Sequence, residues 1–217
     1  WTDDTSLALC LAESLIECEG FKPKDQMERY VRWYRDGHLS SNGRCFDIGN
    51  ATSSALHQFE RTGEPFSGST DPYSAGNGSI MRLAPVPMYF YPDMQQAVLN
   101  ASDSSRTTHG VVECLDACSL FAWMLFKTMD GKSKSDILFA ADNIKLMEGM
   151  SPKIQAIAAG EYRDKTEDQI RGSGYVVESL EAALWSFHKT DTFLDAILKA
   201  VNLGDDADTT AAVCGQI

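Results

Sequence analysis

The sequence predicts an all-α protein folded as a single domain of roughly ten helices. Three observations carry that expectation. Apolar residues recur at helical spacing through nearly the whole chain, and the period-two alternation of half-buried strands is almost absent. Neither Asn42-Gly43 nor Asn77-Gly78 has the strand-like flanks of a hairpin. No linker is long enough to divide the 217 residues, and there is no internal repeat or low-complexity stretch.

Residues 6–18 (SLALCLAESLIEC) put Leu7, Leu11, Leu15 and Cys18 on one stripe. Pro23, tolerated in a first helical turn, opens 24–36, where Met27, Tyr30, Val31 and Tyr34 recur at helical spacing. Asn50 to Glu60 reads as the next helix, and Gly63 to Gly78 as a loop of Gly, Pro, Ser and Asp. The apolar segment from Val111 to Met129 is a buried central helix; Glu113 and Asp116 make it too polar for a membrane span. Further helices are expected at 134–145, 152–159, 176–189 and 191–202, and a last one begins near Asp208. The chain has no initiator Met, starts inside a motif at Trp1 and stops in a helical pattern at Ile217. Residues 1–217 therefore read as one domain that is incomplete at both ends.

Composition narrows the function classes. The formal charge is −12, which argues against nucleic acid held by a basic surface, and no polybasic stretch offers a grip on anionic membrane. The six cysteines form no CxxC pair, and the four histidines do not supply the close Cys/His pairs of a zinc site. They read as free thiols in a reducing compartment. With no signal peptide and no apolar run near the ~18 residues of a span, a cytoplasmic monomer is expected.

Two acidic clusters stand at opposite ends of the chain: Thr2-Asp3-Asp4-Thr5 before the first helix, and Asp205-Asp206-Ala207-Asp208-Thr209-Thr210 before the last. Each could cap its helix through hydrogen bonds and the macrodipole. One acid would suffice for that, whereas three in four residues repel one another. Carboxylates with hydroxyls also suit hard cations such as Mg²⁺ or Mn²⁺, provided the fold brings the clusters together. Spacing leaves both readings open. The loop Ser74-Ala75-Gly76-Asn77-Gly78-Ser79-Ile80-Met81-Arg82 is either an ordinary turn or a place where backbone N–H groups meet a phosphate, and Gly172-Ser173-Gly174-Tyr175 shares the ambiguity. Asp47 could cap a helix or act as an acid/base, and His109 could be a satisfied core histidine or a ligand contact.

Taken in order, WTDDTSLAL, CFDIGNAT, SAGNGSIMRLAPV, TTHG, GSGYVVESLEAALWSF and NLGDDADTTAAVCGQ closely resemble the ADP-ribosylglycohydrolase family in its bacterial-type form. The resemblance covers the whole chain. It implies a compact orthogonal all-α domain with two Mg²⁺ or Mn²⁺ ions in a cleft. It also implies hydrolysis of the glycosidic bond between ADP-ribose and an acceptor, most often protein arginine, so that the partner is an ADP-ribosylated protein or small molecule. Carried over residue by residue, Thr2, Asp3 and Asp4 match the first metal motif, and Asp206, Asp208 and Thr209 match the second. Asp205 occupies a position that is commonly glycine. Asn77, Gly78 and Ser79, with Met81 beside them, match the loop that holds the ADP-ribose phosphates, while His109, Gly174 and Tyr175 correspond to positions near the substrate. Asp47 matches an aspartate near the reacting ribose and, with Asp4, is a candidate to orient or deprotonate the water. The family's glycine-rich opening helix would lie upstream of Trp1, and the end of the final helix would lie beyond Ile217. Two rival readings remain: a non-catalytic, crystallin-like relative, or another two-metal helical enzyme such as an isoprenoid synthase, whose DDxxD spacing TDDT does not share.

Overall fold

In the computed structural model, which describes residues 1–139 and 148–217, the helical periodicity becomes eleven α-helices and three short 3₁₀ turns. The α-helices are α1 (Asp3–Glu17), α2 (Pro23–Asp36), α3 (Asn50–Thr62), α4 (Pro85–Phe90), α5 (Met94–Arg106) and α6 (Val112–Met129). They continue with α7 (Lys134–Phe139), α8 (Pro152–Ala158), α9 (Val176–His188), α10 (Phe193–Val201) and α11 (Ala207–Gly215). The helix expected at 134–145 is described as far as Phe139, and the rest of that expectation lies outside the described residues. Among the described residues there is no strand, only two isolated bridges, Ser69 with His109 and Gly76 with Tyr175.

The central helix is α6. From Ala117 to Phe126 every residue is buried, as expected of a helix that is apolar all round. Helices α4, α5, α7, α8 and α9 pack against it, and one continuous hydrophobic cluster runs from Leu7 to Cys214. Burying the larger of these side chains is worth about 1.5–3 kcal/mol each. Helices α1 and α2 form a hairpin clamped by Arg29. Its buried guanidinium reaches Glu13 at 2.6 Å and Glu17 at 2.8 Å on α1, and Asp25 at 2.6 Å on its own helix.

The structure adds two helices that the periodicity does not predict. The buried face of α5 is Ala97, Asn100, Ala101, Ser104 and Ser105, small or polar residues that leave no apolar stripe to read. Its legible signal was Asp93, whose side chain accepts from the Gln96 N–H at 3.0 Å as an N-cap. Helix α4 is six residues with Pro85 in its first turn, too short for a period. The first helix also starts earlier than expected, so that Asp3 and Asp4 lie inside its first turn. All six cysteines are free; four are buried, and Cys18 and Cys45 are partly exposed. Among the described residues no helix is long and apolar enough to cross a membrane.

Candidate active site

The first and last helices of the chain touch, and that contact brings the two acidic clusters together. Asp3 and Asp4 stand in the first turn of α1, only 7% and 3% exposed. Asp208 and Thr209 stand in the first turn of α11, and Asp206 is its N-cap residue. The approach to α11 is fixed by its own backbone: Asp206 N–H donates to Gly172 O at 2.8 Å, and Thr210 donates back to Asp206 O from both its N–H (3.0 Å) and its hydroxyl (2.8 Å).

Capping does not account for these acids. Neither Thr2 nor Asp206 makes a side-chain cap hydrogen bond. Among the described α-helices, side-chain caps are single residues, Asp93 on α5 and Thr192 on α10. The Thr2 hydroxyl instead donates to Asp4 Oδ2 at 2.5 Å. Asp4 Oδ1 is buried with no hydrogen-bond partner, a position that a carboxylate oxygen rarely holds without compensation. Burial, reinforced by the charges of Asp4, Asp47 and Asp208, pushes the Asp3 carboxyl up to about 8. Burial likewise raises Asp4, with the Thr2 hydroxyl opposing and Asp208 adding to the effect. Among the described residues, no three His, Cys, Asp or Glu side chains form a metal-ligating group by themselves. The oxygen donors available here alternate carboxylates with the hydroxyls of Thr2 and Thr209.

Opposite the acids, two glycine loops are stitched to each other. The Gly76–Tyr175 bridge is made by Asn77 N–H to Gly174 O and Val176 N–H to Ala75 O, both 3.0 Å. Asn77 is buried, and its Nδ2 donates to Asp206 Oδ2 at 2.7 Å and to Ser179 Oγ at 3.2 Å, so the glycine loop orients an acid of the far cluster. His109, three residues before α6, is tied to Ser69 and packs on Gly76 and Gly78. A Cβ on Gly78 would come within 2.8 Å of His109 Cε1 and 3.3 Å of Thr52 Oγ1, so the loop needs glycine there. Gly78 and Ser79 N–H have no acceptor among the described residues.

Between these walls lies a cleft of about 720 Å³. Of the residues singled out from the sequence, Asp3, Asp47, Asn77, Gly78, Met81, His109, Gly174, Asp206, Asp208 and Thr209 line it. Thr2 and Asp4 open instead on an adjoining groove that shares Met81 and Asp208 with the cleft. Ser79 is buried behind the loop. Tyr175 lines a neighbouring cleft, its hydroxyl donating to Glu113 Oε2 at 2.5 Å and accepting from Lys153 Nζ at 2.7 Å. Asp47 is exposed at the rim with φ of 61°, the left-handed region, where a non-glycine residue stores strain.

Sequence reasoning placed the start of α3 at Asn50, where the structure has it, but did not read that helix start as a wall of the cleft, nor the role of the buried Arg82. Ile48, Gly49, Asn50, Ala51 and Thr52 all line the cleft, and Gly49, the N-cap, offers no side chain to the free N–H groups of that helix. The signal was a helix start with glycine where Ser or Asp would normally stand. Arg82 is 1% exposed and donates to Gly78 O at 2.7 Å and Thr108 Oγ1 at 2.6 Å, bracing the loop from behind. No spacing rule marks such a role.

A family model described as ADP-ribosylglycohydrolase matches residues 1–217. The chain is 45% identical over its whole length to an ADP-ribosylarginine hydrolase Tri1 of Pseudomonas putida (strain GB-1), of which it covers 57%. It is 44% identical to an ADP-ribosylarginine hydrolase Tri1 of Serratia proteamaculans (strain 568), of which it covers 58%. Among solved structures, a chain of an ADP-ribosylglycohydrolase-related protein complex matches all of it at a TM-score of 0.83 and 40% identity, with 69% of that chain covered. The chain thus spans less than three-fifths of the length of the two hydrolases.

Proposed function

The chain belongs to the ADP-ribosylglycohydrolase family, and from that premise we propose that it is a hydrolase of the bond between ADP-ribose and arginine in a modified protein. The observation that carries the reading is the meeting of the two acidic motifs, unused as caps, across a cleft from a glycine loop with free N–H groups. The arginine linkage is supported by two relatives at 45% and 44% identity that are named ADP-ribosylarginine hydrolases. Six free thiols suit a reducing compartment, and the cytoplasm is the proposed location.

The proposed cofactor is a pair of Mg²⁺ or Mn²⁺ ions. The donor chemistry fits: carboxylates with threonine hydroxyls are hard oxygen ligands, Asp4 Oδ1 is buried and unpartnered, and Asp3 is crowded by three other acids. Thr2, Asp3 and Asp4 would hold the ions from one side and Asp206, Asp208 and Thr209 from the other. When bound, such ions lower the pKa of a coordinated water and fix the ribose hydroxyls.

The protein's own groups supply the rest. Gly78 N–H is free to donate to a phosphate oxygen, with the open α3 N-terminus adding partial positive charge on the same cleft. Asn77 holds Asp206 in register with that loop, so the phosphate and ribose ends of the substrate are set relative to one another. Asp47 lines the cleft at its rim and is the proposed acceptor of the proton of the attacking water. As the bond to C1 breaks, positive charge gathers at the anomeric carbon, and the acidic floor favours it. Asp4 is buried beneath that floor and acts by binding rather than as the base.

The test is release of free ADP-ribose from arginine- and serine-modified peptides, in Mg²⁺ and in EDTA. The reading expects release from arginine that EDTA abolishes. Binding of ADP-ribose without release from either peptide would favour a non-catalytic relative instead.

A further inference from the structure

Behind the glycine loop lies a short chain of buried polar groups that the proposed reaction does not use directly. Arg82 Nη2 donates to Thr108 Oγ1 at 2.6 Å, and Thr108 Oγ1 lies 2.8 Å from His109 Nδ1. Thr108 has no exposed surface and His109 is 3% exposed. A guanidinium can only donate, so one lone pair of the threonine oxygen is committed to Arg82. The single hydroxyl hydrogen has one acceptor within reach, His109 Nδ1. Were Nδ1 itself protonated, Thr108 would accept from both sides and its hydrogen would be buried without a partner, at a cost of about 1–3 kcal/mol. The other edge of the ring faces Gly76 and Gly78, where a Cβ would stand 3.2 Å and 3.1 Å from Nε2, and the ring lines the cleft.

We infer that Arg82 and Thr108 are positioning residues that fix His109 as the neutral Nε2–H tautomer, a hydrogen-bond donor to an oxygen of the ligand in the cleft. The nature of that ligand, ADP-ribose, rests on the function proposed above; the tautomer does not. Burial, with the Arg82 charge adding to it, drives His109 down to about 3, so the ring stays neutral across the physiological range. With Nδ1 occupied by a hydroxyl hydrogen and Nε2 carrying its own, His109 has no lone pair to offer the substrate and does not serve as a general base. The glycines on either side make sense on the same ground. A side chain at Gly76 or Gly78 would cover the one N–H that the relay presents.

The experiment is long-range ¹H–¹⁵N spectroscopy of this chain with ¹⁵N-labelled histidine, the His109 signals being assigned by their loss in His109→Gln. The expected result is a pyridine-like Nδ1 and a pyrrole-like Nε2, unchanged through neutral pH. Thr108→Val should release the preference and move the ring toward Nδ1–H, and Thr108→Ser should restore it. In steady-state assays with ADP-ribosylated arginine, Thr108→Val should raise KM about tenfold, as for one lost hydrogen bond, with kcat moving less and Thr108→Ser rescuing. A pyrrole-like Nδ1 in the unmutated chain would overturn the inference, as would a Thr108→Val ring with an unaltered tautomer. Free ADP-ribose should shift the Nε2–H signal. If the tautomer is as stated and that signal stays put, the reading of the ligand fails and the relay stands.

Discussion

Asp3→Asn tests whether the acidic cluster is strained for want of a cation, and it does so through the sign of a pH dependence. Asp3 is raised from 3.8 to about 8 by burial and by Asp4, Asp47 and Asp208. A group whose folded pKa is raised contributes stability that is complete below its unfolded pKa and is lost as pH climbs through the folded one. Between 3.8 and about 8 the folded chain therefore holds a proton that the unfolded chain releases, and stability falls as pH rises. At 1.36 kcal/mol per unit, a shift of this size amounts to about 6 kcal/mol. For a chain of this length that corresponds to roughly 12–24 °C in melting temperature. The assay is thermal or urea unfolding in EDTA, stepped across that window, for the natural chain and for Asp3→Asn, whose amide does not ionise. The natural chain should lose stability toward pH 8, and the variant, in which only Asp4 is still raised, should lose less and be the more stable of the two there. Excess Mg²⁺ should restore the natural chain, by about 2.7 kcal/mol at a hundredfold excess over Kd, and do little for the variant. Helix capping demands the opposite slope, because an ionised carboxylate at a helix N-terminus stabilises it. A natural chain whose stability in EDTA rises with pH would refute the reasoning, as would parallel slopes in the two proteins.

Substitutions at three other positions probe separate joints of the site. Asn77→Asp replaces a donor 2.7 Å from Asp206 Oδ2 with a carboxylate, so in EDTA it should cost about 2–3 kcal/mol in chemical unfolding. Gly78→Ala drives a Cβ to 2.8 Å from His109 Cε1 and should lower kcat/KM at least tenfold while costing about 1–3 kcal/mol of stability. Asp205 has φ of 52°, so Asp205→Gly should melt within about 1 kcal/mol of the natural chain and Asp205→Val clearly below it; equal melting of all three would dismiss the backbone argument.

Much of this molecule was legible from period and punctuation. The stripe of Leu7, Leu11 and Leu15 and the apolar run of α6 gave their helices within a few residues, because burying one face leaves a repeat in the sequence. Helix α5 was hidden because it packs through Ala97, Ala101, Ser104 and Ser105, where close approach replaces bulk and no hydrophobic repeat is needed. The acidic motifs were visible as residues, but their meeting was not. Asp4 and Asp208 are neighbours only through the packing of α1 on α11, and local spacing carries no record of that contact. The Asn77–Asp206 bond and the Arg82–Thr108–His109 chain are hidden for the same reason, since each joins segments whose local sequence is complete without the other. Asp205 shows the reverse case. A residue that looks like a third acid of the second motif sits in left-handed backbone, and what its position asks for is backbone freedom rather than charge.

The arrangement of charge carries one more consequence for the proposed reaction. The chain is acidic overall, and Asp3, Asp47, Asp206 and Asp208 all line the cleft that would receive a diphosphate. Two like charges ~8 Å apart in an effective dielectric of ~20 repel by about 2 kcal/mol. The free N–H of Gly78 and the dipole at the α3 N-terminus offset part of that, at roughly 0.3–1 kcal/mol for the dipole. They do not outweigh several carboxylates. On the proposed reading, a divalent cation on the floor would relieve that repulsion as the anionic substrate enters, before any water is activated. EDTA should then weaken the binding of free ADP-ribose as well as abolish turnover. Calorimetric titration showing equal affinity with and without Mg²⁺ would confine the metal to the chemical step.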